Sequence, residues 1–254
     1  MRSISIYYFS GTGNTLKLLD VMKNRFEAEG SNVKLQEIKN ANFIIPEKDT
    51  LTGFAFPINS QSVSPSVWKF LKSLPKVNGL EVFVLVTLNT SSGIINPLFK
   101  LLTSKGYKVK GLCEISMPNN MLQGTVDDKL NKERLESAII KVEQFSKDLL
   151  SDTAKWKSDY KGSGFVSFLS RATPFPWFFM RKLSKFSIND SCTKCGKCAK
   201  GCPVNNISIK NIPVHHHSCE FCMRCAAYCP NKSITVKLAG KEVSVVKGRE
   251  TLDI

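Results

Sequence analysis

Cys192, Cys195, Cys198 and Cys202 are separated by two, two and three residues, with Pro203 behind the last. The same spacing returns as Cys219, Cys222, Cys225, Cys229 and Pro230. Eight of the nine cysteines belong to this repeat, so the C-terminal part of the chain is chemically unlike the rest. Three thiolates at two-residue gaps wrap one face of an iron–sulfur cubane, and in the bacterial form of the pattern the fourth cysteine of each run reaches the other cluster. That crossing assigns Cys192, Cys195, Cys198 and Cys229 to one centre and Cys219, Cys222, Cys225 and Cys202 to a second. The rival is a pair of zinc sites, but zinc knuckles present Cys-x2-Cys pairs across longer loops rather than triplets ending in Cys-Pro.

A second constellation lies near the amino terminus. Ser10-Gly11-Thr12-Gly13-Asn14-Thr15 joins an apolar run, Ile4–Phe9, to a segment with apolar residues at helical spacing, Thr15–Ala28. Glycines let the backbone approach a phosphate, hydroxyls and amides donate to it, and the helix amino terminus adds a favourable dipole. A P-loop would need Gly-Lys-Ser/Thr, which is absent here. The dinucleotide fingerprint fails because its third glycine falls at Leu16.

The elements that must position these residues follow from the hydrophobic pattern. Further strands are expected at Val33–Ile38, Thr52–Phe56, Val82–Thr87 and Val109–Ile115. Helices are expected from Ser64-Pro65, with Trp68, Leu71 and Leu74 as its buried stripe, from about Ile94 to Ser104 and from about Leu130 to Leu150. Five strands alternating with helices predict an α/β fold with a doubly wound parallel sheet. The charge is uneven: the formal +15 divides as +5 over residues 1–150, +4 over 151–190 and +6 over 191–254. The domains expected are therefore 1–150 for the sheet, 151–189 for a basic, aromatic connection, and 190–254 for the cysteine-rich part.

At 42% hydrophobic and 22% charged the composition excludes a collagen-like or disordered chain, and no stretch approaches the roughly 18 apolar residues of a membrane span. A cytoplasmic location is expected, where closely spaced cysteines are more often metal ligands than disulfides. Nucleic-acid binding has only the net charge behind it, with no recognition motif.

Residues Ser191 to Val236 resemble the bacterial two-cluster ferredoxins, with Ile207 and Ile234 where that family places an apolar residue after each Cys-Pro. The resemblance implies two [4Fe-4S] clusters, held in a small α+β domain. The hexapeptide 10–15 resembles the flavodoxin phosphate motif, Thr/Ser-x-Thr-Gly-x-Thr. It implies FMN at the carboxyl ends of the strands of a 2-1-3-4-5 sheet. The loops after the third and fourth strands then hold the ring through Pro57, Ile58, Asn59, Ser60, Thr87, Leu88, Asn89, Thr90, Ser91 and Gly93. Neither loop carries the aromatic that flanks the ring in many flavodoxins, so a face is left for a substrate or for aromatics of 165–186. Over nearly its full length the chain looks like the EFR family of flavodoxin–ferredoxin fusions, found mainly in anaerobes. Met117-Pro-Asn119-Asn120 looks like that family's Met-Pro-x-Asn element and brings Asn119 to the flavin.

Lys194, Lys197, Lys200 and Arg224 sit inside the cysteine loops, where they suit an acidic redox partner or remain solvated. His215-His-His217 is expected as an exposed loop or strand-edge triplet, and Cys113 as a buried structural residue. The aromatics of 165–186 are expected to pack one domain on the other, because Pro174 and Pro176 interrupt any amphipathic helix; a membrane-surface segment is the alternative. The function expected is an intracellular electron-transfer flavoprotein that moves single electrons between two clusters and FMN. The alternative is an FMN-dependent reductase of a small oxidised substrate, such as a quinone or nitro compound, fed by the clusters. No catalytic acid or base stands out.

Overall fold

The computed structural model describes residues 2–39, 43–47, 49–59, 61–89, 91–122, 127–173 and 175–251, without the side chains of 122 and 175. The first half alternates strand and helix: β1 (Ser3–Tyr8), α1 (Asn14–Ala28), β2 (Asn32–Glu37), β3 (Leu51–Pro57), α2 (Pro65–Ser73), β4 (Glu81–Leu88), α3 (Ile95–Ser104) and β5 (Lys108–Ser116). After the short β6 (Met121–Leu122) comes the long α4 (Asp128–Leu150), whose first turn is capped by the Asp127 side chain accepting from the Leu130 amide at 2.9 Å.

The five long strands form one parallel sheet, as the alternation predicted, in the β2-β1-β3-β4-β5 order that the flavodoxin resemblance implied. All of β4 except Glu81 is buried, which is why it reads as an unbroken apolar run. One core layer sets Val67, Leu71, Leu98 and Leu102 of α2 and α3 against Phe54, Phe56 and Val84. The other sets Leu19, Met22, Phe26, Val142 and Leu149 of α1 and α4 against Ile6, Ala55 and Leu85. Trp68, expected within the buried stripe, is only partly covered, with the Arg171 guanidinium 5.5 Å above its ring.

The remainder comprises α5 (Gly164–Ala172), α6 (Phe175–Leu183), β7 (Ser184–Ile188), α7 (Lys197–Lys200), β8 (Ile207–Ile209), β9 (Pro213–His215), α8 (Arg224–Ala227), β10 (Ile234–Leu238) and β11 (Lys241–Val245). Strands β8 and β9 form a hairpin. A four-stranded antiparallel sheet runs β6-β11-β10-β7. Two of its strands come from outside residues 190–254: β7 pairs with β10 from Ser184 to Ile188, and β6 lends Met121 and Leu122 to β11. The second half is therefore knitted into the first by backbone pairing.

Two readings of the connection are corrected. The prolines break the stretch 164–183 without preventing helix: α5 ends at Ala172 and α6 begins with Pro176 in its first turn, where a missing amide costs nothing. Its aromatics do not all pack between domains. Trp177 is buried, stacked on Phe221 with centroids 6.3 Å apart, whereas Phe165, Phe168 and Phe178 face solvent. Among the described residues no helix is long and apolar enough to cross a membrane.

Candidate functional site

The loop from Ser10 to Thr15 leaves β1 at its carboxyl end and turns into α1. Gly13, at φ 106°, makes the left-handed step that starts the helix. Its five successive amides, Gly11 to Thr15, donate to no acceptor among the described residues. Five unpaired donors at a helix amino terminus are what a phosphate group requires. The hydroxyls are held in place: Thr15 Oγ1 lies 2.9 Å from Thr87 Oγ1, and Leu16 N donates to Ser10 Oγ at 3.3 Å. The element after β5 closes over the loop, with Asn120 Nδ2 donating to Thr12 Oγ1 at 2.8 Å and Asn14 Nδ2 donating to the Pro118 carbonyl at 2.9 Å.

A cavity of about 370 Å³ opens beside this loop. It brings together Ser10, Gly11, Thr12, Asn14, Thr15, Pro57, Ile58, Asn59, Thr87, Leu88, Asn89 and Asn119 from the expected site. Gly13 and Ser91 are outside the lining. Gly93 packs elsewhere, with a Cβ placed there lying 2.5 Å from the Ser163 carbonyl oxygen. The expected Ser60 and Thr90 fall outside the described residues. The far wall includes Trp177 of α6, one of the 165–186 aromatics expected there, and adds Met180, Phe221, Cys222 and Met223, which sequence reasoning missed. The aromatics lacking from the two ring loops are supplied by other elements. No signal in the sequence pointed to Met180, Phe221 or Met223.

The cysteines gather in two places. Cys192, Cys195, Cys198 and Cys229 surround one small cavity of about 20 Å³. Cys202, Cys219, Cys222 and Cys225 surround another of about 20 Å³. Backbone amides point at the sulfurs: Asn206 N to Cys202 Sγ at 3.2 Å, Phe221 N to Cys219 Sγ at 3.4 Å and Ser233 N to Cys229 Sγ at 3.3 Å. Such N–H···S bonds stabilise thiolate charge and tune a centre bound there. Among the described residues no three His, Cys, Asp or Glu side chains converge on the position of a single ion. The two quartets ring hollows instead, which suits a polynuclear group, and the donor set is wholly sulfur.

The two quartets differ in environment. Cys195 is exposed. Burial would raise the Cys229 thiol, but bonds from the Ser233 hydroxyl and amide hold it below its ordinary value. In the inner quartet burial pushes the Cys222 thiol up to about 12, against the pull of the Arg224 amide and charge, and drives Cys225 well above the usual thiol range.

Two expectations for side chains around the inner quartet are overturned. His215 stands at the end of β9, a strand-edge place as expected, but it is not exposed like its two neighbours. It stacks on Phe186 at 4.5 Å with Nε2 3.6 Å from Cys225 Sγ, and burial lowers its pKa; only His216 and His217 are exposed. Arg224 is neither solvated nor open to a partner. It is 2% exposed, donates from Nη2 to the Ser10 carbonyl at 2.6 Å and from Nη1 to the Gly201 carbonyl at 3.2 Å, and pairs with Glu37. Its guanidinium lies 5.8 Å from the Phe9 ring centroid. Lys194, Lys197 and Lys200 are exposed as expected, and Cys113 is buried, its thiol pushed up to about 12 by desolvation.

The seam between the halves is polar and close. Ser64 makes no side-chain cap for α2. Glu220 instead accepts from the Ser66 amide at 2.9 Å and hydroxyl at 2.6 Å, capping that helix from across the seam. Burial raises the Glu220 carboxyl and the Ser66 bonds partly offset it. Tyr228 Oη donates toward the Thr12 and Arg249 carbonyls at 2.9 and 2.8 Å. Gly248 N donates to the Thr12 carbonyl at 2.7 Å, and Arg249 Nε reaches Asp20 at 2.7 Å. A strap of C-terminal residues thus lies across the phosphate-type loop.

Residues 185–243 match the family model for a 4Fe-4S dicluster domain. The chain thus joins a parallel sheet of flavodoxin-like strand order to a segment that matches a 4Fe-4S dicluster domain. The flavodoxin-like assignment rests on the sheet order and helix placement described above. Solved structures with related topology include a short-chain flavodoxin associated with a non-canonical PDU bacterial microcompartment. It is 12% identical with a TM-score of 0.47, and the match covers 61% of this chain and 100% of that one. The two-electron-reduced flavodoxin of Megasphaera elsdenii is 20% identical with a TM-score of 0.39, covering 54% of this chain and 98% of that one. No curated protein matches the sequence.

Proposed function

We propose that this protein carries single electrons between two [4Fe-4S] clusters and FMN held in one polypeptide. The observation that carries the reading is Cys222, which lines both the 370 Å³ cavity and the inner four-cysteine cavity. Cys192, Cys195, Cys198 and Cys229 would hold the outer cluster, and Cys202, Cys219, Cys222 and Cys225 the inner one. The Gly11–Thr15 amides would hold the FMN phosphate, with Pro57–Asn59, Thr87–Asn89 and Asn119 around the ring. Bound there, the clusters exchange one electron at a time and FMN holds two, so fusion links one-electron and two-electron chemistry.

The residues themselves do the positioning. Arg224 and Glu220 lock the inner cysteine loop to the phosphate-type loop and to α2. Trp177, Met180 and Phe221 wall the cavity from water. The exposed Cys195 loop, with Lys194, Lys197 and Lys200, offers a positive face to an acidic redox protein. Among the described residues lining the cavity only Cys222 is ionisable.

The test is an anaerobic redox titration of the purified chain, with iron, sulfide and FMN quantified in the same sample. Cys195→Ser should remove the outer cluster's signal and spare the flavin. Cys222→Ser should remove the inner signal and also disturb the flavin spectrum. Colourless protein carrying zinc, or saturable multiple turnover of a small oxidant with no transfer to redox proteins, would overturn the reading.

A further inference from the structure

Helix α5 is amphipathic in the wrong sense for a soluble protein. It buries Ser167 and Ser170, at 0% and 2% exposure, and turns Phe165, Val166 and Phe168 outward at 70%, 39% and 51%. Tight packing fixes that orientation. A Cβ on Gly93 would lie 2.5 Å from the Ser163 carbonyl oxygen and 2.9 Å from Ser167 Cβ, so only small residues fit on the inner side. Every exposed residue of α5 is hydrocarbon: Gly164, Phe165, Val166, Phe168 and Ala172. Helix α6 extends the pattern, with Trp177 turned inward at 5% exposure and Phe178 and Leu183 outward at 57% and 49%. Trp177 Nε1 donates to the Ser170 carbonyl at 2.6 Å and ties the two helices together. Scattered apolar residues on a surface are ordinary, but consecutive helices that expose their large side chains and bury their small ones mark a contact surface.

Charge identifies the contact. From 161 to 189 the chain carries Lys161, Arg171, Arg181, Lys182 and Lys185 and no Asp or Glu. Cations bracket the apolar centre: Lys161 precedes α5, while Lys182 and Lys185 follow the exposed part of α6 and are themselves exposed. A second copy docking here would bring two positive faces together. The exposed side chains at the centre of the face offer no hydrogen bond for a shaped protein partner to recognise; the partly covered Arg171, its guanidinium 5.6 Å from the Phe168 ring centroid and donating to Ser167 Oγ, adds a cation there, and a fluid hydrocarbon boundary asks for no such bonds. We propose that α5 and α6 seat the protein on an anionic lipid surface, with Phe165, Phe168 and Phe178 entering the interface and Lys161, Lys182 and Lys185 against the headgroups.

The experiment is flotation of the full-length protein, prepared anaerobically, with vesicles of phosphatidylglycerol and phosphatidylcholine in equal parts, and with phosphatidylcholine alone. The wild type should float with the anionic vesicles, much less with the neutral ones, and less as salt is raised. Phe165→Ser with Phe168→Ser should weaken partitioning at least about tenfold, from the lost apolar burial. Lys182→Gln with Lys185→Gln should weaken it by roughly a further factor of five per charge. These positions are exposed, so circular dichroism and the melting temperature should stay at wild-type values. Failure of the wild type to float, or undiminished flotation of the Phe variant, would overturn the proposal. So would self-association in solution, or capture of an acidic redox protein without vesicle binding, abolished by the same Phe changes.

Discussion

Replacing Arg224 by Met removes one guanidinium that serves both halves of the molecule. The Arg224 side chain is 3% exposed and its partner Glu37 is 21% exposed, so the loss leaves a poorly solvated carboxylate and two carbonyls, Ser10 and Gly201, without their donor. Breaking a fully buried pair costs roughly 3–5 kcal/mol, and the residual hydration of Glu37 places this one near the lower end, about 3 kcal/mol. At roughly 2–4 °C per kcal/mol for a chain of this size, the melting temperature should fall by about 6–12 °C. Because Ser10 opens the phosphate-type loop, FMN should also dissociate faster, followed by recovery of flavin fluorescence on dilution. Arg224→Lys should restore less than half of the stability, since an ammonium cannot reproduce the fork that reaches two carbonyls and a carboxylate. Glu37→Gln combined with Arg224→Met completes a double-mutant cycle, in which a coupling of about 1 kcal/mol or more is expected. Single effects that add to within about 0.5 kcal/mol, with flavin retention unchanged, would refute the reasoning.

Gly11→Ala would place a Cβ 2.2 Å from the Cys222 carbonyl oxygen, so the inner cysteine loop and the phosphate-type loop must separate. We expect a loss of about 1–3 kcal/mol and earlier proteolysis between the halves, whereas an unchanged digestion pattern would contradict the close approach. Glu81 gives a pH prediction: burial alone would raise its carboxyl, but the bond from Lys108 and the charges of Lys110, Lys108 and Arg2 hold it below 4.5. A depressed folded-state pKa lends stability that is present above the unfolded value and lost as pH falls through the folded one. Glu81→Gln should therefore cost under about 1 kcal/mol near neutrality and nothing in strong acid, and it should flatten the melting profile below about pH 4.5. A variant profile parallel to wild type across that range would remove Glu81 from the account.

What the sequence made legible was local. Strands β1 to β5 and helices α1 to α4 announce themselves because each buries a face with its own periodicity, and the cysteine loops because ligand spacing is written in adjacent residues. The seam was illegible for the opposite reason. Strand β6 has two residues, too few for a pattern, and β7 owes its existence to β10, which lies far along the chain. Helix α5 misled because its apolar residues face outward and its serines inward, so hydrophobicity pointed to the wrong side. His215 looked like one of three equivalent neighbours, and only the stacking of Phe186 separates it from His216 and His217. The position of Trp177 on the cavity wall depends on α6 docking against Phe221, a contact that no local pattern encodes.

The strap formed by Gly248 and Arg249 has a consequence for biogenesis. The parallel sheet is complete once β5 has been made, yet the loop at its first turn is not strapped until residues made more than a hundred positions later return to Thr12 and Asp20. During synthesis the nascent first half would therefore present an open cradle, and closure would wait on folding of the cysteine-rich half. Folding of the cysteine-rich half would then set the schedule on which the pocket matures.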